Sequence, residues 1–228
     1  ARARMMSPEQ ILKRLSQRFK LLGGARRGDS ARQATLRGLT DWSWDLLEPW
    51  EQSALAQVSV FRDGFFMEAA EAVVDLSAWP DAPWSLDVVG SLLDKSLLHN
   101  SRQVLGQPRF EMYVSIQEYA AEKLAETENA TRPDGKQETH RRHAIWFGRM
   151  SPSETTPRQG HNAGSKSWAE LFCELDNLIA GTVQGTSETA AQCCIAALGV
   201  VSLKGPVSLG VDLATRVLGR SNLPRRLQ

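Results

Sequence analysis

Apolar residues recur at helical spacing along most of the chain, and Gly and Pro mark the breaks. Ser7–Pro8–Glu9–Gln10 opens the first such stretch: Ser7 is placed to cap, Pro8 fits the first helical position, and Gln10 stands at capping-box distance. Ile11, Leu12, Leu15, Phe19 and Leu22 then share a face, Gly23–Gly24 ends the helix, and residues 25–31 read as a basic loop. A second helix is expected over Gln33–Leu47 with Leu36, Leu39, Ser43 and Leu46/Leu47 on one face, and a third from Pro49 to about Val60 with Leu55 and Val58 inward. Asp63–Gly64 predicts a turn, and Phe66–Asp75 a short helix packed through Ala69, Ala70, Val73 and Val74. After a loop over Ser77–Pro83, Ser85 is placed to cap a helix over Leu86–Lys95 whose Val89, Leu92 and Leu93 face inward.

The period then changes. Ser96–Asn100 is short and apolar-rich, Ser101–Arg109 holds Gly106 and Pro108, and Phe110–Val114 alternates, which predicts a two-stranded ribbon with a polar connection. Ser115, with Glu118 three residues on, is placed to cap a helix running to about Glu126. Three helices, a hairpin and a helix is the order of a winged-helix module; an irregular small α+β domain fits the periodicity equally well. Thr127–Gln137 is polar and reads as a boundary. Beyond it, helices are expected over Glu138–Met150 (Ala144, Phe147 and Trp146 inward), Trp168–Gln184, Glu188–Val201 and Val207–Leu218, with a Ser/Thr/Pro/Gly-rich, mobile stretch over Ser151–Ser165. Small residues at Ala190, Ala191, Ala196 and Ala197 suit close helix pairs, so this part reads as the start of a helical-repeat stack. The expected fold class is therefore mainly α: a helical linker over 1–34, a winged-helix-like domain with a small β-hairpin over 35–130, and the start of a TPR-like, solenoid-like repeat segment over 138–228. Leu223–Gln228 supplies no polar cap for a solenoid, so the natural chain is expected to continue.

Composition changes this picture little. With 228 residues, 42% apolar and 23% charged, the chain is ordinary for a globular protein, and it has no apolar run long enough to cross a bilayer. Pro8, Glu9 and Gln10 interrupt what would be the apolar part of a secretory signal. Cys173, Cys193 and Cys194 have no metal-binding spacing and read as reduced, buried thiols of a cytoplasmic protein. The net charge of +1 hides an uneven distribution: residues 1–37 are rich in Lys and Arg, among them Arg14, Arg18, Arg26 and Arg27. Such a stripe is a solvated helix face, a contact with an acidic neighbour, or a nucleic-acid footprint.

Arg32–Gln33–Ala34–Thr35–Leu36–Arg37, continuing into Asp41–Trp42–Ser43–Trp44–Asp45–Leu46–Leu47, resembles the start of the winged-helix region in bacterial signal-transduction ATPases of the STAND class. Met6–Gln10 with Leu15–Gly24 is similar to the segment that follows the helical part of the ATPase module in that family. Val60–Phe61, Glu68–Val73, Leu92–Leu97, Phe110–Met112 and Gln117–Ala120 look like successive winged-helix elements. His143–Ala144 and Glu174–Leu178 look like the entry into the repeats. The resemblance implies an upstream P-loop domain that binds ATP or ADP, packed against these helices, and an inducer (protein or small ligand) received by the repeats. It also implies a nucleotide-sensing position just after the second wing strand. Relatives often place Met-His-Asp there; this chain has Met112–Tyr113–Val114, so Tyr113 is the residue left to donate a hydrogen bond.

The chemistry of such an ATPase is missing from the sequence itself. Gly135–Lys136 is followed by Gln137 and lacks the earlier glycine of a phosphate loop, and Gly23–Gly24 lacks the lysine. His140 and His143 lie one turn apart, but Arg141 and Arg142 oppose a cation between them. No Gly-x-Ser-x-Gly elbow occurs. The expectation is no catalysis, no metal and no cofactor for this chain alone, and a regulatory, scaffolding role by intramolecular packing and protein–protein interaction. The alternative is a DNA-binding winged-helix transcriptional regulator that uses Arg14, Arg18, Arg26 and Arg27. The helix in the recognition position, Ser85–Lys95, carries Asp87 and Asp94 and is net negative, and the wing offers Arg102 and Arg109.

Overall fold

The computed structural model describes residues 37–104, 106–127, 132–152, 165–166 and 168–220. The expected helix at Ser7–Leu22, the loop at 25–31, most of the Ser/Thr/Pro/Gly-rich stretch and the end beyond 220 lie outside the described residues. The chain divides into two units, 1–48 and 49–228. In the first, residues 37–45 are helical (α1), and Ser43 Oγ donates to Leu39 O at 2.8 Å. Of the face expected for this helix, Leu39 and Leu46 are exposed, whereas Leu47, just past its end, is buried as expected.

The second unit begins with α2 (Pro49–Val58), where Pro49 takes the first helical position and needs no hydrogen-bond partner for its nitrogen. Ala54, Leu55 and Val58 are inward as the spacing requires. The chain then reverses through Asp63 (φ 53°) and Gly64 (φ 83°). The glycine is obligatory: a Cβ there would sit 2.7 Å from both Glu111 Cγ and Phe110 O. Helices α3 (Met67–Val73) and α4 (Ser85–Asp94) follow, then the antiparallel ribbon β1 (His99–Val104) and β2 (Gln107–Glu111), and α5 (Val114–Glu126). Phe65 pairs with Phe110, its N–H and carbonyl each bonding at 2.9 Å, so a single residue between α2 and α3 acts as a third strand.

Four sequence expectations need correction here. The ribbon is longer and shifted: Ser101–Val104 and Gln107–Arg109, read as connection, are strand, and the reversal is confined to the residues around Gly106 (φ 81°). Exposed polar residues pair as well as apolar ones when both faces of a ribbon meet water. Ser85 and Ser115 do not cap; they lie inside α4 and α5, whose caps are Trp84 and Tyr113 without a side-chain bond. In α4, Val88 is buried with Val89 and Leu92, while Leu93 is only half-buried. The expected single helix over Trp168–Gln184 is broken at Glu174.

Helix α6 (Lys136–Gly148) buries Thr139, His143, Ala144 and Phe147 against α3, α8 and α9. After a two-residue parallel pair, β3 (Ser151–Pro152) with β4 (Ser165–Lys166), come α7 (Trp168–Cys173), α8 (Leu175–Gln184), α9 (Ser187–Lys204) and α10 (Val207–Leu218). Neighbours α8–α9 and α9–α10 pack through small residues; Gly181 lies so close to Cys193 that a Cβ would stand 2.6 Å from its Sγ. Arg220 reaches back to the end of α8 and donates to Gly185 O, Thr182 O and Val183 O at 2.6, 2.8 and 2.9 Å, satisfying carbonyls the helix leaves open. Helix α10 buries Gly210, Leu213 and Val217 but exposes Val207, Val211 and Leu218. The described residues are thus mainly helical with one small antiparallel sheet, and no described helix is long and apolar enough to cross a membrane.

Candidate functional site

Arg109 organises the polar interior of the second unit. It sits on β2, and both it and Phe110 are buried, which breaks the alternation of a half-exposed strand. The segment leading into α3 packs here: Phe110 meets Phe65, and Arg109 stacks its guanidinium 4.9 Å from the Phe66 ring centroid. The guanidinium is fully enclosed. Nη1 donates to Glu174 Oε1 at 2.9 Å, Nη2 to Cys173 O, Gly64 O and Glu174 Oε2 at 2.8, 3.1 and 3.3 Å, and Nε to Asp63 O at 2.9 Å.

Glu174, at the break between α7 and α8, has a side chain only 2% exposed. Asn177, one turn on, donates its amide to Glu174 Oε2 (2.7 Å) and Gly64 O (2.9 Å), and accepts from the Arg62 backbone N–H (2.7 Å). His143 Nε2 approaches the same Asn177 oxygen at 3.4 Å while its Nδ1 has no partner. Burial lowers the His143 imidazole to about 3, so the ring is neutral near pH 7. With Asn177 Oδ1 as acceptor, the proton is assigned to Nε2. For a buried ion pair the desolvation cost offsets much of the mutual attraction, while removal of one partner is strongly destabilising.

Beside this junction lies a cleft of about 190 Å³ lined by Val58, Phe61, Asp63, Gly64, Phe65, Glu111, Met112, Val114 and Gln117. Met112 and Val114 face it; Tyr113, between them, does not line it. Tyr113 is exposed and stacked on His99 (centroids 4.5 Å apart, planes 15° apart), and its carbonyl accepts the Ile116 and Gln117 N–H groups at the start of α5.

The surface expected to read DNA is corrected in one respect. Arg109, counted among the wing cations, faces inward and is unavailable to a ligand. Arg102 remains at the surface of the ribbon, held 3.0 Å from Asp63 with both side chains half-exposed. On α4, Asp87 and Asp94 are exposed, and Lys95 Nζ is bound by Glu51, which also accepts from Ser91 Oγ at 2.6 Å. Arg14, Arg18, Arg26 and Arg27 lie outside the described residues. Among the described residues no His, Cys, Asp and Glu group has the geometry of a metal centre. The Arg109–Glu174 pair was missed from sequence because its members are 65 positions apart; Glu174–Asn177 entered only through the family resemblance.

The chain is similar to several mycobacterial proteins. A protein of Mycobacterium tuberculosis named as a candidate HTH-type transcriptional regulator is 35% identical over 180 residues, 78% of this chain and 19% of that protein. A Mycobacterium bovis protein with the same description matches to the same extent. A further M. tuberculosis protein, uncharacterised, is 32% identical over 132 residues, 57% of this chain and 33% of its own length. The chain spans about a fifth of the length of the regulators it matches. No protein-family model and no solved structure matches it.

Proposed function

We propose that this chain is the coupling segment of a longer, cytoplasmic transcriptional regulator of the STAND type. In this reading a P-loop domain elsewhere in the regulator binds ATP or ADP, and an inducer is received on the helical repeats. The helices of this chain hold the two in register by packing, without catalysis. The regulator class is supported by the names of the relatives. The coupling role rests on one observation above all: the wing cation Arg109 is spent on Glu174 at the α7–α8 break, so the ribbon and the C-terminal helices are tied by a buried ion pair. A ribbon used this way serves the interior of the protein.

The second reading is that this segment itself binds DNA, and the HTH in the relatives' names favours it. Two exposed carboxylates on α4 argue against base reading there, because a phosphate surface repels them. Fluorescence anisotropy of a labelled 30-base-pair duplex, titrated with the whole chain at low and moderate salt, separates the two. The coupling role predicts no saturable, salt-sensitive rise, and co-elution with a separately expressed P-loop domain. A rise abolished by neutralising Arg14, Arg18, Arg26 and Arg27 together would instead establish DNA binding.

A further inference from the structure

The break between α7 and α8 has no cause in its own stretch of chain. No proline lies in Trp168–Gln184, and its first glycine, Gly181, comes well after Glu174. The helical ladder runs up to the break and resumes directly after it: Glu174 N–H bonds Glu170 O at 3.1 Å, and Leu178 N–H bonds Glu174 O at 2.8 Å. Between them, the bonds that a continuous helix would run from Leu175 N–H to Leu171 O and from Asn177 N–H to Cys173 O are not made among the described residues. Both carbonyls have other donors. Leu171 O takes the Glu174 N–H at 3.1 Å in a tighter turn, and Cys173 O takes Arg109 Nη2 at 2.8 Å. Glu174 itself has left regular helical geometry, at φ −99° and ψ 6°. A side chain inserted into the ladder is one of the few ordinary causes of a sharp kink, and here it comes from a distant strand. The two arms of the kink are unequally held. Helix α8 buries Asn177, Leu178 and Gly181, and Asn177 ties it to the Arg62 N–H and to Gly64 O. Helix α7 buries Leu171 alone among its residues, and its Phe172 ring lies 3.9 Å from Nζ of the exposed Lys204.

We infer that α7 and α8 form a two-state element with Arg109 as its wedge: kinked while the guanidinium occupies Cys173 O and Glu174, and one continuous helix over Trp168–Gln184 once the guanidinium is withdrawn. Straightening restores the two missing ladder bonds and frees Glu174 to turn toward water. It needs only α7, the lightly held arm, to move, with loss of the Lys204–Phe172 contact. A shift of the ribbon thereby becomes a change in the direction of α7, a discrete step of the kind that packed helices use in switching. The inference rests on the coupling role proposed above and supplies its moving part.

The test is NMR on the whole deuterated chain, comparing the native sequence with Arg109→Met/Glu174→Met, which removes both charges and strands neither. The readouts are the Cα carbon shift at position 174 and the coupling carried through a hydrogen bond between Asn177 N and the Cys173 carbonyl carbon. In the native chain the coupling should be absent and the shift should lie outside the helical range. In the double variant the coupling should appear and the shift should become helical. A kink that persists in the folded double variant would overturn the wedge. Lys204→Gln leaves the ion pair intact and loosens α7, so it carries the test should the double variant fail to fold. Relaxation dispersion at 173–177 should then grow, with the minor state shifted toward helix at Glu174; unchanged dispersion overturns the two-state element. Co-elution with the separately expressed P-loop domain reads the coupling role by itself. A double variant that stays kinked and still co-elutes sinks the wedge and leaves coupling. Straightening in the double variant, with no co-elution of the native chain, sinks coupling and leaves the two-state element.

Discussion

Replacing Arg109 by Met keeps the length and much of the apolar volume of the side chain while deleting its charge. Glu174 is then left with a side chain 2% exposed and only the Asn177 amide for compensation. Removing one partner of a buried pair costs about 3–5 kcal/mol. The carbonyls of Asp63 and Cys173 also lose a charged donor, adding roughly 1 kcal/mol or more, whereas Gly64 O keeps Asn177. Against a total stability of about 5–15 kcal/mol this is a large fraction. In urea unfolding followed by circular dichroism, with a slope of about 2–3 kcal/mol/M, the midpoint should fall by about 1.3–3 M. Glu174→Met should behave similarly by stranding the guanidinium. The double variant Arg109→Met/Glu174→Met should lose less than the sum, with a coupling energy of about 1–3 kcal/mol. Hydrogen exchange should rise in Arg109→Met at both 107–111 and 171–178 while α2 stays protected. A midpoint change below about 0.3 M, or additivity of the two changes within about 0.5 kcal/mol, would refute the claim that this pair ties the ribbon to the C-terminal helices.

Other outcomes follow from single residues. His143 is held neutral by burial with its pKa lowered to about 3, whereas in the unfolded chain it takes up a proton near 6.5. Its share of stability is therefore complete above pH 6.5 and is lost as pH falls toward 3, at up to about 1.4 kcal/mol per pH unit. Urea melts at pH 7.5 and 5.5 should differ accordingly, and His143→Leu should remove most of that difference. Gly64→Ala forces a Cβ to within 2.7 Å of Phe110 O at a φ of 83°, and should lower stability by about 1–3 kcal/mol in thermal melts. Cys193, buried and pushed up to about 12 by desolvation, should resist iodoacetamide at pH 8 in the native chain and react after unfolding, as read by mass spectrometry. Arg220→Met opens the end of α8 and should cost about 1 kcal/mol, with faster amide exchange in the last turn of that helix.

Much of the fold was legible because helices announce themselves through period and punctuation. Pro49, the Asp63–Gly64 reversal and the Gly185 and Gly205 breaks fall where the pattern of the chain puts them. The ribbon was legible in kind but not in extent, since β1 exposes Asn100–Gln103 and has no apolar alternation to read. The one-residue strand at Phe65 has no local signal at all; it exists because Phe110 lies opposite. The break at Glu174 was invisible for a related reason. Nothing in Trp168–Gln184 forbids a continuous helix, and only the distant guanidinium gives the carboxylate a reason to turn inward. The cleft suffered the same blindness: Asp63 and Glu111 are far apart in sequence and meet through the ribbon.

The pairing of Arg109 with Glu174 also dictates how the molecule can be cut. The polar stretch near residues 127–137 looks like a convenient place to separate the segment with the ribbon from the helices after it. Any truncation there assigns the guanidinium to one piece and its carboxylate to the other. Each fragment would then inherit an ion in an apolar setting with its mate gone, and would be prone to precipitate or to refold around water. Subcloning that keeps both positions on one polypeptide, or neutralises both at once, avoids the fault.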